Sequence, residues 1–231
     1  MNDTMAAAIT RSPNRKLLYH FTRASNLPAI AYADALLASA RFSPSAAGER
    51  RLRPVAAKLE QYPVTLNAHL RIADSMIDAS TTQEQFRAAL DRHVFLWPTR
   101  PYCQKMIDTY TRREPDERFA ILELDASSLL ADHYSAVKLS KYDSGSSPRF
   151  PALCSYKKSP AMFVPLGLFG TAVNATVPVK PSDIREVLVE DRVAGISRYL
   201  RSVYVDRCED APEKWRCLAR PLAPWRSSSP R

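Results

Sequence analysis

The stretch Leu17–Ile30, LLYHFTRASNLPAI, constrains the rest of the chain more than any other. Its opening run, Leu17, Leu18, Tyr19, His20 and Phe21, suits a buried strand. Thr22 follows, and then Ser25 or Asn26 can N-cap a helix over Leu27–Leu37. Pro28 falls in the first turn, where a missing N–H costs nothing. Strand, tight turn and helix in that order set a histidine at a strand end facing a helix N-terminus. Such a position suits a ribose and a pyrophosphate. It also suits a core histidine whose ring is satisfied by the backbone.

A chain of 231 residues makes one large domain, or one domain with appendages, and can bury a substantial core. No apolar run approaches the roughly 18 residues of a membrane helix, so no membrane partner is expected. MNDTMAAAIT has no basic region ahead of an apolar one, so no secretory signal is expected. Cys103, Cys154, Cys208 and Cys217 form no C-x-x-C pair and no zinc spacing. Reduced thiols in a cytoplasmic protein fit best, with a Cys208–Cys217 bridge left open to geometry. The net charge is +9, and the excess sits at the ends. Nine basic residues face four acidic ones in residues 1–60, fifteen face sixteen in 61–191, and nine face four in 192–231. That distribution suits a polyanionic partner such as nucleic acid, and equally a solvated basic tail.

Residues 1–14 are small and polar and are expected to lack order. Residues 40–57, with Arg41, Arg50, Arg51 and Arg53, read as a basic loop. About 54–92 reads as a helical insert. Leu66, Leu70, Ala73 and Ile77 have helical spacing there, and Thr81 with Glu84 reads as a capping box for a helix over Thr82–Asp91. His69 and Arg71 are expected at its surface. Val94–Trp97 is an apolar strand ended by Pro98, with Arg100 leading into a helix over Tyr102–Tyr110. That order can aim a guanidinium at a phosphate, or leave an arginine on a surface turn. Phe119–Leu124 and Ala136–Leu139 read as strands. The loop Lys141–Arg149 holds Ser144 and Gly145, whose hydroxyl and backbone N–H groups can bind an anion or a ribose. A strand over Ile184–Glu190 carries Glu186 near its start, and Val203–Val205 reads as an edge strand. From Arg207 onward the chain reads as a loose basic tail, with Trp215 and Trp225 able to pack back.

Three of these elements carry a resemblance. Tyr19-His20-Phe21-Thr22 followed by Asn26-Leu27-Pro28-x-Ile30 resembles the first motif of DarT-type ADP-ribosyltransferases. Pro98-Thr99-Arg100 with Met106 resembles their arginine motif, and Glu186-Val187-Leu188-Val189 followed by Arg192-Val193 their last. Val94-Phe95-x-Trp97-Pro98 and the Ser144-Gly145 loop with Pro148-Arg149 look closer still to an uncharacterised bacterial domain group, with Asp143 where asparagine is usual.

The resemblance implies an α+β fold with a split, strongly bent β-sheet core and surrounding helices, over residues 15–206. It implies NAD as co-substrate and no metal. Glu186 and Arg100 would be catalytic. Tyr19, His20, Thr22, Asn26, Ser144 and Gly145 would hold NAD, with His20 donating to a ribose. Arg50, Arg51 and Arg53 would hold the acceptor. The implied protein is a mono-ADP-ribosyltransferase, a toxin or defence effector acting on DNA or RNA, with an antitoxin as a further partner. The alternatives are a protein acceptor, an NAD glycohydrolase of the same fold, and an inactive nucleic-acid-binding module.

Overall fold

The computed structural model describes residues 2–171 and 174–226. Twelve strands are described: β1 (Leu17–Arg23), β2 (Ala35–Leu37), β3 (Val55–Leu59), β4 (Tyr62–Leu66), β5 (His93–Leu96), β6 (Phe119–Asp125), β7 (Val137–Ser140), β8 (Phe163–Pro165), β9 (Glu186–Glu190), β10 (Arg192–Ala194), β11 (Leu200–Val205) and β12 (Ala219–Pro221). The α-helices among these residues are α1 (Asn2–Ile9), α2 (Leu27–Ala33), α3 (Gln83–Asp91), α4 (Arg100–Arg113), α5 (Ala126–Asp132) and α6 (Ile196–Tyr199).

The core is α+β and split. One sheet has the order β1-β6-β11-β12, the other β5-β9-β7-β8. Their facing edges, β1 and β5, are joined by a backbone bridge just past the end of β5, in which Tyr19 and Trp97 exchange hydrogen bonds of 2.9 and 2.8 Å. On one side of it the strands splay, and a cleft opens beside His20 and Phe95. Residues alternate across β1 as a pleated strand requires. Leu18 joins the main core with Leu96, Leu122 and Val189, while Tyr19 and Phe21 join an aromatic core with Trp97, Tyr110 and Trp225. His20 and Thr22 share the face that lines the cleft.

Several elements differ from the sequence expectations. Residues 2–9 form α1, whose Ala6 and Ile9 are buried in the main core, so the small residues serve packing. The helix after β1 stops at Ala33, because Asp34 takes a left-handed conformation (φ 48°) and turns the chain into β2. The expected helical insert opens instead with a hairpin, β3–β4, turned at Glu60 (φ 52°). Val64 and Leu66 pack on Ala29, so one face of a two-stranded ribbon is buried where a helix stripe was expected. The insert's one described α-helix is α3, capped by Thr82 with Gln85 in a reciprocal box, one residue later than the sequence suggested. β11 is internal to its sheet, since β12 adds to it in parallel. Trp215 and Trp225 are buried, so residues 207–226 are part of the fold; the remainder of the expected tail lies outside the described residues. All four cysteines are free thiols, Cys208 and Cys217 included. No helix among the described residues is long and apolar enough to cross a membrane.

Candidate active site

The cleft at the sheet split is a cavity of about 250 Å³. β1 contributes His20 and Thr22, the start of α2 contributes Asn26, and the hairpin contributes Thr65 and Leu66. Arg51, His69 and Asp91 also line it, as do Asp143, Gly145 and Glu186. A second cavity, of about 380 Å³, opens beside Glu186. It is lined by the aromatic residues Trp97, Tyr102 and Tyr142, by Lys105, Lys141 and Arg185, and by the acidic Asp143 and Asp183. Glu186 lines both.

Glu186 heads β9, the strand between β5 and β7, and pairs with Ser140. Only 4% of it is exposed. Its Oε2 accepts from the Ser144 N–H (3.1 Å) and hydroxyl (2.6 Å). Burial, and then the nearby Asp143 charge, push its carboxyl up to about 8, against the opposing pull of the Ser144 hydrogen bonds and the Lys158 charge. An acid in this setting holds its proton at neutral pH until a cation arrives.

His20 is bonded through Nδ1 to the Phe95 carbonyl at 2.9 Å. A carbonyl only accepts, so Nδ1 carries the proton and Nε2 keeps a lone pair. Burial lowers the ring to about 4, so it is neutral near pH 7. A ring held this way leaves an acceptor at Nε2, where the sequence reading expected a donor.

Asp91 accepts from Ser39 Oγ (2.8 Å), the Gly48 N–H (3.0 Å), Arg51 Nη2 (2.7 Å) and His69 Nε2 (3.0 Å). Burial works to raise its pKa, but His69, Arg51 and Gly48 together hold it well below the usual carboxylate range. His69, expected at the surface, is therefore half-buried in the site.

The structure separates some expected residues from this cleft. Tyr19 points into the aromatic core, its ring 5.1 Å from that of Trp225. Arg100 lines neither cavity; its guanidinium bonds the Pro224 carbonyl and lies 4.6 Å above the Trp225 ring. Helix α4 begins at Arg100 itself, which turns the side chain toward the C-terminal segment. Arg185 stands in the second cavity instead, stacked 4.5 Å over Tyr102. Arg50 and Arg53 are exposed, whereas Arg51 is tied to Asp91 in the first cavity, so the three do not form one cluster. Asn26 lines the cleft, yet its amide is engaged by Thr65, donating to the carbonyl (3.0 Å) and accepting from the N–H (2.8 Å). It caps α2 in position only, with no side-chain bond to the helix. Ser144 lies behind Glu186, and Gly145 lines the cavity with open space where a Cβ would stand.

Sequence reading missed Lys158. It is fully buried, and its ammonium donates to the carbonyls of Asp143, Ser144 (3.1 Å) and Ser146 (2.7 Å). Burial lowers its pKa, against the pull of Asp143 and Glu186. Nothing in KKSP marks it, because its partners are backbone carbonyls.

The family model "Family of unknown function (DUF7002)" matches residues 16–200. No curated protein matches the chain. Among solved structures, DarT of Thermus sp. 2.9 in complex with NAD+ is similar, with a TM-score of 0.44 and 14% identity, over 93% of this chain and 99% of that one.

Proposed function

The chain belongs to the Family of unknown function (DUF7002), and from that premise we propose that it is an NAD-dependent mono-ADP-ribosyltransferase acting on nucleic acid. The observation that carries the reading is one cavity at the sheet split lined by His20, Thr22 and Glu186. These are the residues of the first and last motifs through which the sequence resembles DarT-type enzymes. In the proposed reaction the bond between nicotinamide and ribose C1′ breaks, and its electron pair leaves with nicotinamide. The acceptor nucleophile bonds to C1′ and gives its proton to the ionised Glu186 carboxylate. Glu186, once ionised, stabilises the positive charge that develops at C1′. The cationic nicotinamide ring of NAD favours that ionisation by proximity. His20 Nε2 accepts from a ribose hydroxyl, and Arg51, oriented by Asp91, offers its remaining N–H groups to the pyrophosphate.

A nucleic-acid acceptor is supported by the three cations and three aromatic rings that line the second cavity beside Glu186, where Asp143 and Asp183 also stand. Aromatic faces stack bases and cations meet phosphates. Arg100, Arg50 and Arg53 have no part in this version of the site. A toxin or defence role, with an antitoxin partner, follows the resemblance alone; growth arrest on induction, absent in Glu186→Gln, tests it.

The deciding experiment supplies NAD labelled on the adenylate and on nicotinamide, with separate DNA, RNA and protein pools. Nicotinamide release with label transferred to nucleic acid is expected, and neither in Glu186→Gln. Label on protein alone moves the acceptor to protein. Release with no labelled pool indicates a glycohydrolase, and no release at all leaves an inactive binding module.

A further inference from the structure

We propose that Lys158 is a positioning residue, whose buried ammonium folds residues 143–146 into the seat that holds Glu186. Three backbone carbonyls of one short loop, Asp143, Ser144 and Ser146, converge on Nζ and use all three of its donors. Carbonyls drawn inward leave the intervening N–H groups pointing outward. One of them, on Ser144, donates to Glu186 together with the hydroxyl of the same residue. Ser144 thus lies between the two groups, its carbonyl on the Lys158 ammonium and its N–H on the Glu186 carboxyl. Lys158 is fixed at both ends. Its backbone N–H donates to Met76 (2.7 Å) and its carbonyl accepts from Asp78 (3.0 Å). Two residues earlier, Tyr156 stacks on Tyr142 of the same loop, with ring centroids 3.7 Å apart and planes 8° from parallel. A fully buried lysine with no carboxylate in contact is costly, and the arrangement repays that cost by ordering a loop otherwise rich in serine.

The seat stands independently of the transfer reading; its bearing on rate rests on that reading. The test is a titration of Glu186 by carboxyl-carbon NMR in protein carrying labelled glutamate, the resonance assigned by its loss in Glu186→Gln. Wild type, Lys158→Met, Lys158→Arg, Ser144→Ala and the double variant combining Lys158→Met with Ser144→Ala are compared. Asp143, Tyr156, Lys141, Asp183, Arg185 and His20 remain in every variant. Lys158→Met and Ser144→Ala should each raise the Glu186 midpoint by about one pH unit or more, since each removes groups that favour the carboxylate. Lys158→Arg should restore most of the wild-type value. The double variant should shift less than the two single shifts combined, because both act through Ser144.

An unmoved midpoint in Lys158→Met overturns the proposal, and so do two fully additive shifts, which mean a direct charge effect without a seat. If Lys158→Met does not fold, amide hydrogen exchange of wild type decides. Ser144 N–H protected like the amides of β9 supports the seat, and exchange at the rate of an open loop overturns it. None of these readouts needs NAD. A shifted midpoint in a protein that releases no nicotinamide keeps the seat and removes the transferase; turnover with an unmoved midpoint does the reverse.

Discussion

At the residue scale, Glu186 is unusual in being buried as an acid whose proton the site retains. Its midpoint stands near 8 in the folded chain, against about 4.3 for an unfolded glutamate. Between those values the unfolded chain has lost a proton that the folded chain keeps. Stability contributed at this position therefore falls as pH rises through that window. Glu186→Gln should remove the slope: melts at pH 4 should nearly coincide with wild type, and by pH 8 the variant should melt higher. The same variant should lose nicotinamide release by on the order of a hundred-fold or more. His20→Ala should act differently, raising the Michaelis constant for NAD while turnover changes less, because it removes binding. Arg100→Ala should leave NAD kinetics unchanged, since its guanidinium serves Trp225. A steady-state comparison of the three variants checks all of this, and a turnover defect in Arg100→Ala would return it to the site.

At the scale of elements, the hairpin β3–β4 forms one wall of the first cavity and is tied to the start of α2 by the Asn26–Thr65 amide pair. Asn26→Ala leaves both backbone groups of Thr65 without that partner, at a cost of about 1–3 kcal/mol. Hydrogen exchange in residues 55–66 should quicken, with a higher Michaelis constant for NAD and a fold otherwise kept. Exchange unchanged in that hairpin would mean the amide pair does not secure it. The apolar runs that became β1, β5, β6 and β9 were legible because continuous burial writes itself as continuous hydrophobicity. The hairpin was not, because Val64 and Leu66 are its only fully buried residues, while Leu66, Leu70, Ala73 and Ile77 happen to recur at helical intervals. His20 and Glu186 were legible as parts of motifs. The Asp91 network and Lys158 were not, because their partners come from distant segments or are main-chain atoms.

Across the whole molecule, the +9 charge matters through where it stands. Lys105, Lys141 and Arg185 line the second cavity beside Asp143 and Asp183, whereas Arg50 and Arg53 are exposed in the loop before the hairpin. Each phosphate neutralised releases counterion, so nucleic-acid binding should weaken steeply with salt. Changing Lys105, Lys141 and Arg185 to Glu should abolish acceptor labelling and flatten the salt dependence. Arg50→Glu with Arg53→Glu should leave labelling nearly intact. The reverse result would move the acceptor to the basic loop.

The packing of Tyr19 against Trp225 carries a consequence for how the chain is made. The two rings are separated by almost the whole sequence, and β1 also waits for β6. At translation rates of about 5–20 residues per second, roughly 10–40 s pass between the synthesis of Tyr19 and that of Trp225. For that interval Tyr19 lacks its last aromatic partner, and once Val205 has been made Tyr204 lacks it too and β11 has a bare edge until β12 follows. Stalled or truncated translation products ending before β12 should consequently be chaperone clients, captured on the ribosome with the first sheet incomplete.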